Sequence, residues 1–303
     1  MQKKAIRDTL GQVAVMAMKN RAFKQVDVFT AERFRGNPLA VVLDAVGLTP
    51  VQMQAFTDWT NLSEATFILP PENPSADYRV RIFCPGRELP FAGHPTLGSC
   101  HAWLEAGGQP HGEFIVQECG VGLVKIRRDG NRLAFMAPPL KKSGPLDEAD
   151  VKLIARGLGI DRKDIIHHAW CDNGPNWRGV MLASSEQVLA LSPDAQILRG
   201  LDVGVVGPRG KVGVTGAHAD GEAQFEIRAF FPVKTGMAED PVTGSLNAAV
   251  AQWLIGAGLA PKQYIASQGT VLGRAGRVHI RQDGDDIWIG GDSVTCIDGS
   301  VQI

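Results

Sequence analysis

Two dipeptides in the sequence place a side chain that can exchange protons directly before a proline, His94-Pro95 and Asp240-Pro241. Proline suits the first position of a helix, because its missing N–H group would have no partner there in any case. Both dipeptides therefore predict the start of a helix, and Asp240 is a preferred N-cap residue for the second one. The unpaired N–H groups and the dipole of such a helix start attract anions.

The residues around the two predicted helix starts extend this prediction to a ligand. Gly93 on one side and Gly244-Ser245 on the other leave room for a ligand to approach the backbone. A small carboxylate held between two facing helix starts is the binding mode that we expect. For either dipeptide alone a structural role is the commoner explanation, with Asp240 only capping its helix and His94 only supporting the fold. Their occurrence at matched positions of a repeat favours a function.

The sequence repeats itself with an offset close to half its length. Residues 78–85 match residues 225–232, and Pro95 matches Pro241. The segment after each proline is apolar on every side, which is the pattern of a buried helix. Apolar runs such as Ala65–Leu69 predict the strands. These patterns indicate two similar halves, each with strands wrapped around one central helix.

A proline-rich, charged stretch in the middle of the chain predicts a linker between the halves. We therefore expect a first half over residues 26–140 and a second half over residues 141–291. The first strand pattern begins at Val26, so residues 1–25 form an N-terminal extension in this interpretation. The C-terminal strand, residues 292–303, is expected to complete the first half.

The overall composition argues against several classes of partner. The chain has 303 residues, a net charge of −1 and an estimated pI of about 6.7, a balance that favours neither nucleic acid nor an anionic membrane. No apolar run reaches the roughly 20 residues needed to cross a bilayer. The five cysteines include no C-x-x-C pair. This disfavours a zinc ribbon and a disulfide framework and predicts a reducing, cytoplasmic location.

Five short motifs, taken together and in order, give the sequence a specific pattern. They are VDVFT at 26–30, GNPLAVV at 36–42, NLSEATF at 61–67, AGHPTLG at 92–98 and EDPVTGS at 239–245. With this combination the chain resembles the phenazine-biosynthesis isomerase family, the PhzF-like proteins, from about residue 25 to the C-terminus. The resemblance implies an α+β fold of the diaminopimelate-epimerase type. Such a fold has two pseudo-symmetric domains, each a curled, mostly antiparallel sheet around a central helix.

The resemblance also implies a kind of reaction. PhzF-like proteins are isomerases that transfer protons on a small carboxylate substrate without a cofactor or a metal. The active site of the family lies in the cleft between the two domains. A homodimer is the assembly expected from the family, with neither nucleic acid nor a membrane as a partner.

The family's functional residues fall on matching positions of this sequence. Glu64 matches the carboxylate that transfers the proton, while His94 and Asp240 match polar residues at the two helix starts that position substrate and protons. The residues expected to bind the substrate carboxylate or to support Glu64 are Ser63, Gly93, Gly244 and Ser245. On sequence alone a glutamate directly before a strand is usually only solvated, so the role of Glu64 rests on the motif.

Two other functions stay open at this point. Racemases and epimerases of amino or hydroxy acids with this fold use a cysteine at each helix start. Neither start has one here, although Cys84 or Cys100 could lie nearby in space. The second half shows no clear counterpart of Glu64, which fits a proton shift better than an inversion by two bases. A non-catalytic carboxylate-binding protein is the other alternative, against which the combination of Glu64, His94 and Asp240 argues.

Overall fold

The computed structural model describes residues 19–210, 222–233 and 236–303. The α-helices in these ranges are α1 (Pro50–Thr60), α2 (Gly93–Glu105), α3 (Glu148–Leu158), α4 (Ser185–Leu189) and α5 (Gly244–Gly256). The strands are β1 (Asn20–Val28), β2 (Asn37–Val42), β3 (Ala65–Leu69), β4 (Tyr78–Cys84), β5 (Arg87–Leu89), β6 (Ile115–Cys119), β7 (Gly122–Asp129), β8 (Arg132–Met136), β9 (His167–Asp172), β10 (Asn176–Met181), β11 (Asp202–Pro208), β12 (Phe225–Val233), β13 (Gly236–Asp240), β14 (Gln263–Gln268), β15 (Gly276–Asp283), β16 (Asp286–Gly291) and β17 (Ser293–Gln302).

All of these strands belong to one curled, mostly antiparallel sheet that does not close on itself. Across the sheet the order is β17-β1-β2-β3-β4-β6-β7-β8-β16-β15-β14-β12-β11-β10-β9. The short strands β5 and β13 extend the sheet beside β4 and β12, and each of them leads towards the start of a central helix.

The two halves of the sheet repeat the same order of elements. The series β1-β2-α1-β3-β4-β5-α2-β6-β7-β8 is followed later in the chain by β9-β10-α4-β11-β12-β13-α5-β14-β15-β16. The parallel pairs recur at matching places, since β2–β3 corresponds to β10–β11 and β4–β6 corresponds to β12–β14. The halves are joined where β8 pairs with β16. This repetition supports the interpretation of two pseudo-symmetric domains, and β17 lies against β1 of the first.

One helix in each half is buried against the sheet. The helix α2 contacts β1, β2, β3 and β8, and α5 contacts β9, β15 and β16. Side chains on several sides of α5 are buried, among them Leu246, Val250 and Leu254, as its apolar sequence predicts. Both helices belong to one hydrophobic core that spans the two halves. The predicted fold class, α+β with a curled sheet around a central helix in each half, is confirmed.

The predicted start of the first strand is wrong. The strand β1 begins at Asn20 and not at Val26, because residues 20–25 pair with the C-terminal strand β17. The predicted N-terminal extension, residues 1–25, therefore overlaps the sheet in its last six positions. Its residues 1–18 lie outside the described part of the chain.

The predicted helix starts are also displaced from the two prolines. The helix α2 begins at Gly93, and α5 begins at Gly244 with Thr243 as its N-cap. Asp240 is not the N-cap, because it is the last residue of β13, where it pairs with Ala229 of β12. The pairing with β12 keeps the backbone extended through Asp240. The helix α5 therefore begins at Gly244, three residues after Pro241, where the local capping pattern predicts its start.

The two central helices meet at their starts. A Cβ atom added to Gly244 would lie 2.9 Å from the Cα atom of Gly93 and 3.1 Å from the backbone nitrogen of His94. Any side chain larger than hydrogen would force the two backbones apart. Gly93 and Gly244 are therefore required by the contact between the helices, a role that the sequence pattern did not predict.

This contact predicts opposite effects of alanine at the two ends of α5. Gly244→Ala is expected to lower the free energy of unfolding by about 1–3 kcal/mol, because the helix starts must shift to admit the methyl group. Gly256→Ala is the matched control, since no atom lies within 4 Å of a Cβ added there. It is expected to raise stability by up to about 1 kcal/mol through helix propensity. Urea unfolding followed by circular dichroism measures both, and equal effects would contradict the role of Gly244.

Candidate active site

Glu64 and His94 come together at the start of α2. Glu64 lies in the turn between α1 and β3, directly before the strand, and His94 lies in the first turn of α2. The Oε2 atom of Glu64 is 3.4 Å from the Nδ1 atom of His94. The side chain of His94 is 4% exposed and that of Glu64 is 17% exposed, so the pair is largely shielded from water.

Asp240 is held beside this pair by a residue of the other half. Its Oδ1 atom accepts a hydrogen bond from Nδ2 of Asn37 at 3.0 Å, and its Oδ2 atom accepts one from the hydroxyl of Thr243 at 2.6 Å. The Asn37 amide also donates to the carbonyl oxygen of Val242 at 2.9 Å. Asn37 begins β2 in the first half. Its amide therefore fixes the position of Asp240 across the boundary between the halves.

Burial controls the charges of the two carboxyl groups. Burial raises the pKa of Glu64 to about 8, and repulsion by Asp240 acts in the same direction. Burial also raises the pKa of Asp240 to about 6, although the hydrogen bonds from Thr243 and Asn37 favour its charged form. At neutral pH the two groups therefore hold one proton between them, carried mostly by Glu64.

His94 is neutral at the same pH. Burial lowers its pKa to about 3, against the effect of the Pro38 carbonyl, which favours the protonated ring. A neutral imidazole has one nitrogen that donates and one that accepts. Its Nε2 atom is buried and has no hydrogen-bond partner among the described residues. His94 can therefore exchange a hydrogen bond with Glu64 through Nδ1 and offer Nε2 to a molecule that enters the site.

The starts of α2 and α5 add a positive potential to this region. The N–H groups of the first turn of a helix have no partner within the helix, and its dipole is positive there. Because the two starts touch at Gly93 and Gly244, both act on the same small volume. The hydroxyl oxygen of Ser245 accepts a hydrogen bond from Trp177 Nε1 at 3.1 Å, and its carbonyl accepts one from Asn173 Nδ2 at 2.8 Å. Its hydroxyl proton is left to donate to an anion.

The structure thus brings most of the predicted site residues together. Glu64 contacts His94, Asp240 acts on Glu64 through its charge, and Gly93 contacts Gly244. Ser63 is partly buried in the turn that carries Glu64. No described hydrogen bond joins its hydroxyl to another predicted site residue, so its supporting role stays a prediction.

Two amides that hold this arrangement were not assigned a role from the sequence. Gln268, at the end of β14, is fully buried. Its Nε2 atom donates to the carbonyl of Asp240 at 3.1 Å, and its Oε1 atom accepts from the backbone of Thr243 at 3.0 Å and the amide of Asn247 at 2.9 Å. Asn37 is the other amide. Its place in the GNPLAVV motif is the one feature of the sequence that pointed to a role for it.

The cysteines named as alternatives do not form a pair of catalytic thiols. Cys84 lies at the end of β4, and Cys100 lies in the second turn of α2, so neither is at a helix start. Burial raises the pKa of Cys84, and the charge of Glu64 adds to this effect against the influence of Arg87. Burial raises the pKa of Cys100 to about 12. Both thiols are therefore protonated at neutral pH and are poor bases.

Two further observations concern membranes and metals. Within the described ranges no helix is long and apolar enough to cross a membrane. The same residues contain no group of three or more His, Cys, Asp or Glu side chains placed to hold a metal ion. The cytoplasmic location and the independence from cofactors stay predictions.

Comparison with known proteins identifies the family. Residues 26–299 match the family model described as phenazine biosynthesis-like protein, PhzC-PhzF. The chain belongs to this family. The PhzF-like chain is 37% identical over 298 residues to antisense-enhancing sequence 1 of Schizosaccharomyces pombe, with 93% of this chain and 99% of that relative covered. It is 33% identical over 267 residues to a trans-2,3-dihydro-3-hydroxyanthranilate isomerase of Pseudomonas chlororaphis, with 86% and 89% covered.

A solved structure supports the same conclusion for the fold. The PhzF-family protein of Bacillus anthracis superimposes on the PhzF-like chain with a TM-score of 0.78 at 23% identity, covering 94% of this chain and 100% of that one. The predicted family and the diaminopimelate-epimerase-like fold are thereby confirmed. The predicted enzyme class, an isomerase, is confirmed at the level of the family. The roles of Glu64, His94 and Asp240 in the PhzF-like chain stay predictions.

The raised pKa of Glu64 predicts a loss of stability with rising pH that Glu64→Gln should remove. The folded chain keeps the Glu64 proton up to a pH of about 8, whereas an ordinary glutamate in the unfolded chain releases it near 4.5. Between these values the folded state binds more protons, so the free energy of unfolding falls as the pH rises. The glutamine variant has no such proton to lose.

Urea unfolding of both proteins at several pH values from 5 to 8 measures this effect. We expect the difference in unfolding free energy to move steadily in favour of Glu64→Gln as the pH rises. The contribution of His94, which is present in both proteins, largely cancels in this difference. A difference that stays constant over the range would show that Glu64 is already charged in the folded chain.

Proposed function

We propose that this chain is a cofactor-independent isomerase that moves a proton within a small carboxylate substrate, in the cleft between its two halves. The observation that carries the proposal is the buried contact between Glu64 and neutral His94, in which Glu64 keeps its proton at neutral pH. A general acid–base catalyst works best when its pKa lies near the working pH. Burial and the charge of Asp240 move the pKa of Glu64 into that range.

In this proposal Glu64 carries one proton through the reaction cycle. As an acid it gives its proton to one carbon of the substrate, and as the resulting carboxylate it takes a proton from another carbon of the same molecule. The product is then an isomer, no proton is gained or lost, and Glu64 is protonated again. His94 orients the Glu64 carboxyl group through Nδ1. Asp240, whose charged form is favoured by Asn37 and Thr243, keeps the pKa of Glu64 high.

The two helix starts are proposed to bind the substrate carboxylate. The unpaired N–H groups near Gly93 and Gly244 and the hydroxyl of Ser245 can donate hydrogen bonds to it. The positive ends of both helices favour its negative charge. Because Glu64 is protonated at neutral pH, one charge fewer repels the incoming anion. The same proton therefore serves both binding and chemistry.

The relatives support a particular class of substrate. The Pseudomonas chlororaphis relative is named for the isomerisation of trans-2,3-dihydro-3-hydroxyanthranilate. We propose a substrate of the same kind for this chain, an unsaturated carboxylate with a carbon-bound proton that can be removed. A cytoplasmic homodimer is part of the proposal, and sedimentation velocity of the purified protein tests the assembly.

A racemase or epimerase acting through two thiols is less well supported. Neither Cys84 nor Cys100 lies at a helix start, and both keep their protons at neutral pH. A non-catalytic carboxylate-binding protein would not need a buried glutamate with a pKa near neutrality. These alternatives make different predictions for hydrogen exchange at carbon.

Solvent deuterium incorporation separates the three functions. The protein is incubated in D2O with trans-2,3-dihydro-3-hydroxyanthranilate and, separately, with L-proline and trans-4-hydroxy-L-proline, and the products are followed by NMR. For an isomerase we expect a shifted double bond in the cyclic substrate and no exchange in the two amino acids. Deuterium at the α-carbon with inversion would instead identify a racemase or epimerase. A binding protein would bind without any exchange, and the proposal would then be wrong.

Glu64→Gln is expected to slow turnover by about 10²–10⁴-fold, because the amide cannot carry the transferred proton. The affinity for the substrate should change much less, since the helix starts remain in place. Glu113→Gln, at an exposed position in the loop between α2 and β6, is the control and should keep full activity. Rates and dissociation constants are measured on the substrate found in the deuterium experiment. Near-normal exchange by Glu64→Gln would show that another group moves the proton.

A further inference from the structure

Arg228 ties strand β13 to the end of helix α4. Its Nε and Nη2 atoms donate to the two carboxylate oxygens of Glu239 at 3.0 and 2.7 Å. Its Nη1 atom donates to the carbonyl oxygens of Val188 and Leu191 at 3.2 and 2.8 Å. The side chain of Arg228 is 4% exposed and that of Glu239 is 11% exposed. A guanidinium bound in this way fixes the geometry of its partner as well as balancing its charge.

Glu239 is the residue directly before Asp240 on β13. Consecutive side chains of a strand point to opposite faces. Glu239 turns towards Arg228 and α4, whereas Asp240 turns towards Asn37 and Thr243 in the candidate active site. The described hydrogen bonds of Arg228 go to Glu239, Val188 and Leu191 and not to Asp240, so an influence on Asp240 would have to pass through Glu239 and the backbone of β13.

The first half contains a second copy of this ion pair. The Nε and Nη2 atoms of Arg81 donate to the carboxylate of Glu88 at 2.7 and 2.6 Å. Arg81 also lies over the ring of Phe83, as Arg228 lies over the ring of Phe230. The two copies join equivalent strands, β4 with β5 in the first half and β12 with β13 in the second.

The two copies differ in burial and in the residues that follow them. The side chains of Arg81 and Glu88 are 25% and 42% exposed. The strand β5 ends at Leu89, the residue after Glu88, and carries no acid into the site. Only the second copy is buried and is followed by a carboxylate of the site, so the first copy is an internal control for the second.

We propose that Arg228 is a positioning residue of the active site, which anchors β13 through Glu239 and so holds Asp240 opposite Glu64. The catalytic meaning of this proposal rests on the proposed function. The positioning itself is a property of the folded chain and can be measured without a substrate.

The charged and titratable groups around Asp240 determine whether a substitution raises or lowers its pKa. Among the described residues, Glu239 on its own strand and Glu64 before β3 interact with Asp240 through their charges. Arg228 on β12 binds Glu239, and His94 on α2 contacts Glu64. Besides burial, repulsion by Glu239 raises the pKa of Asp240. Replacing Glu239 with glutamine removes this repulsion and leaves the positive charge of Arg228 unbalanced. Both changes favour the charged form of Asp240, so its pKa should fall.

Carbon-13 NMR of the full chain, labelled at the aspartate carboxyl carbon, measures this pKa directly. The Asp240 signal is identified by its loss in Asp240→Asn. In Glu239→Gln we expect the titration midpoint of Asp240 to fall, by on the order of one pH unit. In the matched control Glu88→Gln we expect no change. A folded Glu239→Gln protein with an unchanged midpoint, or an equal fall in Glu88→Gln, would overturn the proposal.

A second variant keeps the test decisive if Glu239→Gln does not fold. The double variant Arg228→Met/Glu239→Leu leaves no buried charge unpaired. Its Asp240 midpoint should also fall, because the lost negative charge of Glu239 is nearer to Asp240 than the lost positive charge of Arg228. The fall should be smaller than in Glu239→Gln, which keeps the positive charge of Arg228. An unchanged midpoint in this variant would likewise overturn the proposal.

Turnover of trans-2,3-dihydro-3-hydroxyanthranilate then connects positioning with catalysis. Arg228→Lys keeps the charge but loses the planar fork, so we expect kcat to fall about tenfold or more with little change in KM. Arg81→Lys should change neither constant. Equal losses in both variants would indicate a purely structural role. If the wild-type chain does not turn this compound over, the proposed substrate is wrong, and the NMR titration still decides the role of Arg228.

Discussion

The contact between the starts of the two central helices is the constraint on which the site depends. Gly93 and Gly244 approach so closely that neither position can carry a side chain without moving a backbone. Each half must therefore wrap its strands so that its helix start faces the other half. The positive ends of two helix dipoles are brought together by this arrangement, which makes the volume between them suited to anions. An ordinary polar cleft between two domains would lack this potential.

The region of positive potential also contains two buried carboxyl groups. Burial raises the pKa of both, but hydrogen bonds oppose this effect only for Asp240. Asp240 accepts hydrogen bonds from Asn37 and Thr243, whereas within the described ranges Glu64 has only the long contact with His94. Hydrogen bonds to a carboxylate stabilise its charge, and burial without them favours the proton. The proton therefore resides mostly on Glu64. The two carboxyl groups of the site thus differ in protonation state because their surroundings differ.

The two halves share one architecture but have diverged in chemistry. The order of strands, the parallel pairs and the arginine–glutamate pairs recur in both halves. The acids of the site do not recur, since Glu64 belongs to the first half and Asp240 to the second. Asn37 and Gln268 both connect Asp240 with the residues directly before α5. A symmetric framework therefore supports an asymmetric site, in keeping with a proton moved from one carbon to another.

The sequence by itself determined the class of the fold and most of its elements. The repeat indicated two similar halves, the apolar segments after the two prolines indicated the central helices, and the strand Ala65–Leu69 was predicted with its observed bounds. These features depend on periodicity and on neighbours along the chain, which a single sequence contains. The motifs also named Glu64, His94 and Asp240, although their roles came from the resemblance.

Only the tertiary structure decided the features that depend on residues far apart in the chain. The strand β1 starts at Asn20 because residues 20–25 pair with β17, and Asp240 ends a strand instead of capping a helix because it pairs with Ala229. Gln268 became part of the site through side-chain hydrogen bonds that no local pattern announces. The raised pKa of Glu64 likewise follows from burial, which depends on how both halves pack around it. Local patterns record which elements form, whereas packing decides which groups meet and which of them keep a proton.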